Sequence, residues 1–250
     1  ARPPIRVTVA SMTGVVASPA AVLHDVLRIT ADLDVPDALV VESLAYSTLQ
    51  AGPDHLAWLA ERTPREHVAA TEPVLVSRED DVLSVRLNRP ERRNAIDAAT
   101  RDALLDAFAI ADADPAVHVG WRGAGQSFCA GGDLDEFGTL PDPATAHLIR
   151  TTRSLGAAIH RLRDRMTVHV HGACAGAGVE LPAFAHRVIA DPDTTFLLPE
   201  LAMGLIPGAG GTVSLPRRIG AQRTAELALS GQPIDAATAL EWGLVDEIRQ

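Results

Sequence analysis

Three short stretches carry residue types that could do chemistry. Residues 172–181 read GACAGAGVEL, a run made mostly of Gly and Ala that arrives at one carboxylate, Glu180. Small residues let a ligand approach the main chain closely. A helix that starts in such a run leaves its first N–H groups without intrahelical partners, in a field that favours negative charge. Residues 127–134, SFCAGGDL, are a second small-residue turn after an apolar strand. Two such turns face to face would offer two N–H donors to one oxygen, and the amides of Gly132 and Ala177 are the candidates. Taken singly, each turn reads equally well as a tight packing corner. The third stretch, LPELAMGLIPGAGGT at 198–212, sets Glu200 beside Pro199 among apolar neighbours. A carboxylate there keeps its proton to higher pH, which suits general acid or base work. A lone Glu is also a common salt-bridge partner or helix cap. Because Glu180 and Glu200 lie in the same kind of setting, they read as a pair sharing one site.

Other motifs say less. RPERRN at 89–94 gathers cations, either in a solvated turn or as contacts for a phosphate-bearing ligand. GAGVEL and GAGGTV each lack the last Gly of a dinucleotide fingerprint. In GQSFC, Cys129 stands where a nucleophile elbow needs Gly. His169 and His171 share one strand face with no further ligand in metal spacing. Cys129 and Cys174 read as small buried residues.

The elements that must position these residues alternate between strand and helix after Pro73. VLVSREDDVLSVRL predicts a hairpin, and Asp97 caps a helix to about Ala111. VHVGW and MTVHV predict buried strands, a long helix is expected over 143–163, and another starts near Ala177. Strands near RVIA and TFLL, then two or three helices, complete an α/β pattern with the candidate residues in loops after strands. Residues 1–72 differ. After an alternation near RVTVA, a stripe of Val22, Leu23, Val26, Leu27 and Leu33 is interrupted by Pro36. A second stripe of Val41, Leu44, Ala45, Thr48 and Leu49 closes at Gly52–Pro53, a short helix carries Leu56 and Leu59, and TPREHVAATEP reads as a linker.

LNRPERRNAID, SFCAGGDL, GACAGAGVEL and LPELAMGLIPGAGGTVSLPRRIG, in this order and at these separations, resemble the enoyl-CoA hydratase/isomerase (crotonase) family over about residues 74–250. The resemblance implies a spiral of strand-strand-helix units, assembled as trimers or as dimers of trimers. It implies an acyl-CoA thioester as ligand, with no cofactor beyond the CoA of the substrate. Gly132 and Ala177 match the family's oxyanion-hole amides, and Glu180 and Glu200 match the two hydratase glutamates. Arg92, Arg93 and Ala95 match the loop that touches the CoA nucleotide, with Ala130 and Arg62 as further contacts. Hydration of a 2-enoyl-CoA is the activity implied. Enoyl-CoA isomerisation, other crotonase chemistry and a non-catalytic assembly role are the alternatives. Ala177 departs from the Gly usual there, and the sequence stops at GLVDEIRQ, where relatives continue into helices. VVESLAYSTLQAGPDHLAWLAER resembles those helices, so a permuted order is expected, with residues 1–72 supplying them ahead of a core at 73–250. An unrelated helical extension is the alternative.

Bulk composition sets outer limits. The chain of 250 residues is 47% hydrophobic and 22% charged, enough apolar material for a large core. A net charge of −10 disfavours a general nucleic-acid or anionic-membrane partner. Two cysteines give no disulfide framework, and no apolar run is long enough to span a membrane, so a cytoplasmic protein is expected.

Overall fold

The computed structural model describes residues 18–63 and 72–249. RVTVA and most of the TPREHVAATEP linker lie outside them. Helix α1 (Pro19–Ile29) opens on a proline whose fixed φ suits a first turn, and it buries Leu23, Val26 and Leu27. The stripe expected to run on to Leu33 instead breaks into a 3-10 turn at Thr30–Asp32. Helix α2 (Val35–Gln50) then starts behind Asp34, whose carboxylate accepts from the Asp37 N–H at 2.9 Å. Pro36 therefore begins a helix rather than interrupting one, because the first turn needs no donor from it. Helix α3 (Pro53–Ala60) follows the Gly52–Pro53 break.

In the core, β1 (Val74–Glu79) and β2 (Val82–Leu87) form the expected hairpin, with Val74 opposite Leu87. Helix α4 (Ala98–Ala113) is capped by Asp97, which accepts from the Thr100 N–H at 2.8 Å, and β3 (His118–Gly123) follows. The single helix expected over 143–163 is two: α5 (Pro143–Thr152) and α6 (Leu155–Leu162). Ser154 turns extended (ψ 112°) and caps α6 by accepting from the Ala157 N–H at 3.1 Å. After β4 (Met166–Val170) and β5 (Ala173–Ala175), α7 (Ala177–Glu180) is one turn rather than the longer helix expected. Pro182 ends it, since its ring would collide with a preceding carbonyl, and a 3-10 turn at Pro182–Phe184 takes over. The chain continues through β6 (Arg187–Ala190), β7 (Thr195–Leu197), α8 (Gly211–Ile219), α9 (Ala221–Ser230), β8 (Ile234–Asp235), α10 (Ala236–Trp242) and β9 (Glu247–Ile248).

The larger sheet has the order β1-β2-β3-β4-β6-β9, parallel except for the hairpin. A smaller sheet runs β5-β7-β8. The core holds a chain of edge-to-face rings, with Trp121 5.8 Å from Phe108 and 5.2 Å from Phe128. The N-terminal helices pack on this core through α5 and α8. Gly204 and Gly208 make room for them. A side chain at Gly204 would lie 2.5 Å from the His55 nitrogen, and one at Gly208 would run into the Tyr46 ring.

Candidate active site

Strands β5 and β7 are neighbours in the small sheet, with Ala175 opposite Leu197. Each leads directly into one of the acids: β5 into the turn that carries Glu180, β7 into the turn that carries Glu200. The Gly176 N–H donates to the Leu197 carbonyl at 2.9 Å and ties the two turns together. The SFCAGGDL loop is fastened to the same place. The main chain of Cys129 pairs with that of Cys174, and that of Gly132 with Ile96, each as a single parallel β-bridge, and the Ala175 N–H donates to Cys129 O at 3.0 Å. The four residues singled out for chemistry thus meet in one cavity of about 620 Å³, lined by Gly132, Ala177, Glu180 and Glu200. Among the described residues, neither the Gly132 nor the Ala177 N–H donates to a protein acceptor. Loop 131–132 and the start of α7 are adjacent: a side chain at Gly131 would sit 3.6 Å from the Ala177 nitrogen.

The acids are held differently. Glu180, only 2% exposed, accepts at Oε2 from the Ala209 and Gly211 N–H groups, at 2.7 and 2.8 Å. Glu200 is also buried, and its Oε2 has no hydrogen-bond partner. Burial drives both pKa values up. For Glu180 the nearby Glu200 and Glu42 add to it, pushing it well above the ordinary carboxylate range. Burial, with Glu42, brings Glu200 to about 8. Close acids of this kind do not both ionise at neutral pH. The two N–H donors at Glu180 Oε2 oppose the effect of burial there, whereas Glu200 Oε2 has no donor, so hydrogen bonding favours the anion on Glu180 and the proton on Glu200.

The small residues before Glu180 prove to make room for the acids as well as for a ligand. Gly176 has φ +49°, and a side chain there would come within 2.5 Å of Glu200 Oε1. A methyl group on Gly211 would meet Glu180 Oε2 at 2.6 Å. Gly176→Ala should therefore cost about 1–3 kcal/mol in backbone strain and displace Glu200. Chemical denaturation and turnover measured on one sample check both effects.

Burial of the acids also fixes a stability trend. An unfolded Glu releases its proton near 4.5 and folded Glu200 near 8, so the folded state holds the extra proton between these values. Stability is then highest below pH 4.5 as far as this group is concerned and is lost as pH rises toward 8. Glu42, raised by burial to about 7, acts in the same direction. Thermal unfolding should show a falling Tm between pH 5.5 and about 8.

The remaining sequence candidates separate. Ala130 lines the cavity. Arg92 ion-pairs with Asp133 at 3.1 Å and with Asp135, and Arg62 reaches Asp135 at 3.3 Å and the Leu134 carbonyl. Arg93 is exposed, with φ +50°, and Ala95 is buried. RPERRN is thus not simply a solvated turn. Arg89, 1% exposed, pairs with Asp97 at 3.1 Å and Asp133 at 3.0 Å, which braces the residue next to Gly132. His171 Nε2 donates to Gly125 O at 3.1 Å. Both cysteines are buried, and burial raises Cys129 to about 12. Among the described residues no three His, Cys, Asp or Glu side chains are placed to hold a metal ion, and no helix is long and apolar enough to cross a membrane.

Sequence reading named only Arg62 from the N-terminal segment as a site residue, and none of the residues by which its helices line the cavity. Tyr46, Gln50, His55, Leu56 and Leu59 line the same cavity. Arg150 lies 4.7 Å over the Tyr46 ring and donates to Ser43 Oγ at 3.1 Å and Gln50 Oε1 at 3.0 Å. His55 donates from Nδ1 to Met203 O at 2.9 Å, leaving Nε2 buried and unpartnered. The signal that could have found this wall was polar: Glu42, Ser43 and Tyr46 repeat at helical spacing along α2.

Known proteins resemble this chain over its core. The family model described as Enoyl-CoA hydratase/isomerase matches residues 77–249. The chain belongs to that family, and its fold is the crotonase fold. A mevalonyl-coenzyme A hydratase from Aspergillus fumigatus is 36% identical over 168 residues, covering 67% of this chain and 62% of that protein. The chain thus spans less than two thirds of that relative's length. A 2,3-dehydroadipyl-CoA hydratase from Escherichia coli K12 is 35% identical over 176 residues, 70% of this chain and 68% of that one. The crystal structure of an enoyl-CoA hydratase from Thermoplasma volcanium superposes with a TM-score of 0.66 at 33% identity, covering 72% of each chain.

Proposed function

We propose that this protein adds water across the double bond of a 2-enoyl-CoA thioester. The reading rests on one observation: two main-chain N–H groups without protein acceptors and two buried acids share one cavity. Water attacks C3 while Glu180, held as the anion by two amides, takes its proton. The electrons of the C2=C3 bond move onto the thioester oxygen, where the Gly132 and Ala177 N–H groups stabilise the enolate charge. Glu200 then delivers its proton to C2, and the enolate collapses to the 3-hydroxyacyl thioester. Glu180 ends with one proton more and Glu200 with one fewer, and proton exchange through solvent on product release restores both, so no cofactor is needed beyond the CoA of the substrate. The two relatives named as CoA hydratases support this choice over isomerisation. Steady-state assay with crotonyl-CoA and longer 2-enoyl-CoAs tests it; turnover of 3-enoyl-CoAs alone would replace it with the isomerase reading. Glu200 must be protonated, so kcat/KM should fall as pH rises through about 8.

The same proposal takes the N-terminal helices as the family's C-terminal ones placed first. Its support is their seating on the cavity wall. A chain with residues 18–63 moved behind residue 249 should then still fold and turn over. Arg62 and Arg92 at Asp135, with Arg93, remain candidate contacts for the CoA nucleotide. A trimeric or hexameric assembly, read by sedimentation, and a reducing cytoplasmic setting, supported by two unbonded buried cysteines, complete the proposal.

A further inference from the structure

Four successive amides, 209 to 212, lie at the N-terminal edge of α8, and two carboxylates divide them alternately. Ala209 and Gly211 donate to Glu180, as described. Gly210 donates to Glu42 Oε1 at 2.7 Å, and Thr212 donates to Glu42 Oε2 through its N–H at 2.9 Å and its hydroxyl at 2.7 Å. Glu180 comes from α7 in the core. Glu42 comes from α2, 168 residues before Gly210 in sequence. It is 2% exposed, and the hydration chemistry does not use it. An anion is expected at such a helix start, where N–H groups lack intrahelical partners, but one carboxylate could meet that need.

We infer that Glu42 is a positioning residue for Glu180, so that the N-terminal helical segment sets the working state of the active-site base; the inference rests on the reading of Glu180 as that base. The stretch 209–212 is gripped from two sides, and neither carboxylate can shift without turning the peptides that hold the other. Glu42 is itself fixed, because α2 is bound to α5 by Arg150 through Ser43, Ser47 and Gln50. The titratable and charged groups around Glu42 are Glu180, Glu200, Tyr46 and Arg150, with His147 one residue along at Ser43 Oγ, 2.9 Å.

Two variants separate positioning from plain charge. Glu42→Gln keeps the shape but turns an NH2 group toward a main-chain N–H. Glu42→Asp keeps the charge but falls one carbon short. If Glu42 positions the loop, both lower kcat roughly tenfold or more with KM nearly constant. Both also move the acid limb of the pH profile upward, because Glu180 loses donors that favour its anion. If Glu42 acts only by charge, Glu42→Asp resembles the parent and Glu42→Gln moves that limb downward; this overturns the inference.

A readout independent of turnover is the exchange of the Ala209 and Gly211 amide hydrogens. It should quicken roughly tenfold in both variants while Val168 and Trp121 in the central sheet stay protected. Should either variant lose protection everywhere, Thr212→Val decides: it removes only the hydroxyl bond to Glu42 and should give a smaller effect in the same direction. Unchanged exchange at 209 and 211 in the folded variants overturns the inference. If the parent hydrates no enoyl-CoA, the proposed activity fails, and the exchange experiment still judges the hold of Glu42 on the Glu180 loop.

Discussion

Glu200→Gln is expected to lower kcat for enoyl-CoA hydration by about 10²–10⁴-fold, the usual worth of a positioned proton donor. Glu200 Oε2 is buried without a partner, and burial holds its proton up to about pH 8, so this group can hand a proton to C2 at neutral pH. Gln fills the same space and has no proton to give. The KM should change little, because the loss falls on the reacting centre and not on the CoA contacts. Glu180→Gln should lose a comparable factor for a different reason. Its amide oxygen can still accept from Ala209 and Gly211, but it cannot take a proton from water. Retention of both activities within a few-fold of the parent would remove the two acids from the mechanism.

The second large effect is expected from the main chain. Ala177→Pro removes one N–H at the first residue of its helix, where proline is best tolerated, and sets the ring Cδ where that hydrogen pointed. Loss of one oxyanion donor should reduce kcat about 10²–10³-fold, about 3–4 kcal/mol of transition-state stabilisation. Ala177→Gly keeps the N–H and serves as the control. Circular dichroism of Ala177→Pro should match the parent. If Ala177→Pro turns over as fast as Ala177→Gly, the enolate oxygen is not held there.

The candidate site was legible in sequence because its parts are local. Main-chain donors need small residues immediately around them, so the turns at Gly132 and Ala177 stand out as Gly and Ala runs. Glu180 and Glu200 stand out against apolar neighbours. The acid pair, the two amides and the lining residue Ala130 meet as the motifs suggested. The arginines were harder to read. A guanidinium looks the same in sequence whether it braces a loop or greets a phosphate, and Arg89 and Arg92 pair with Asp97, Asp133 and Asp135, which lie well along the chain. The continuous helix expected over 143–163 failed at Ser154, where a side chain that caps a new helix competes with the helical main chain.

Helix α2 shows where sequence stops. Its apolar stripe placed Leu44 and Thr48 inward, yet Leu44 is 52% exposed while Glu42, Ser43 and Tyr46 are buried. The apolar stripe is a reliable guide only when the facing surface is apolar. Here α2 faces the amide-rich start of α8, and a run of unpaired N–H groups selects a carboxylate over a leucine. The sequence by itself determined the chemistry on offer: two acids, two bare turns, one fold to carry them. Only the tertiary structure decided that a third acid from the far end of the chain would take alternate amides of the loop holding Glu180, because hydrogen-bond partners are chosen by proximity in space and leave no periodic mark along the chain.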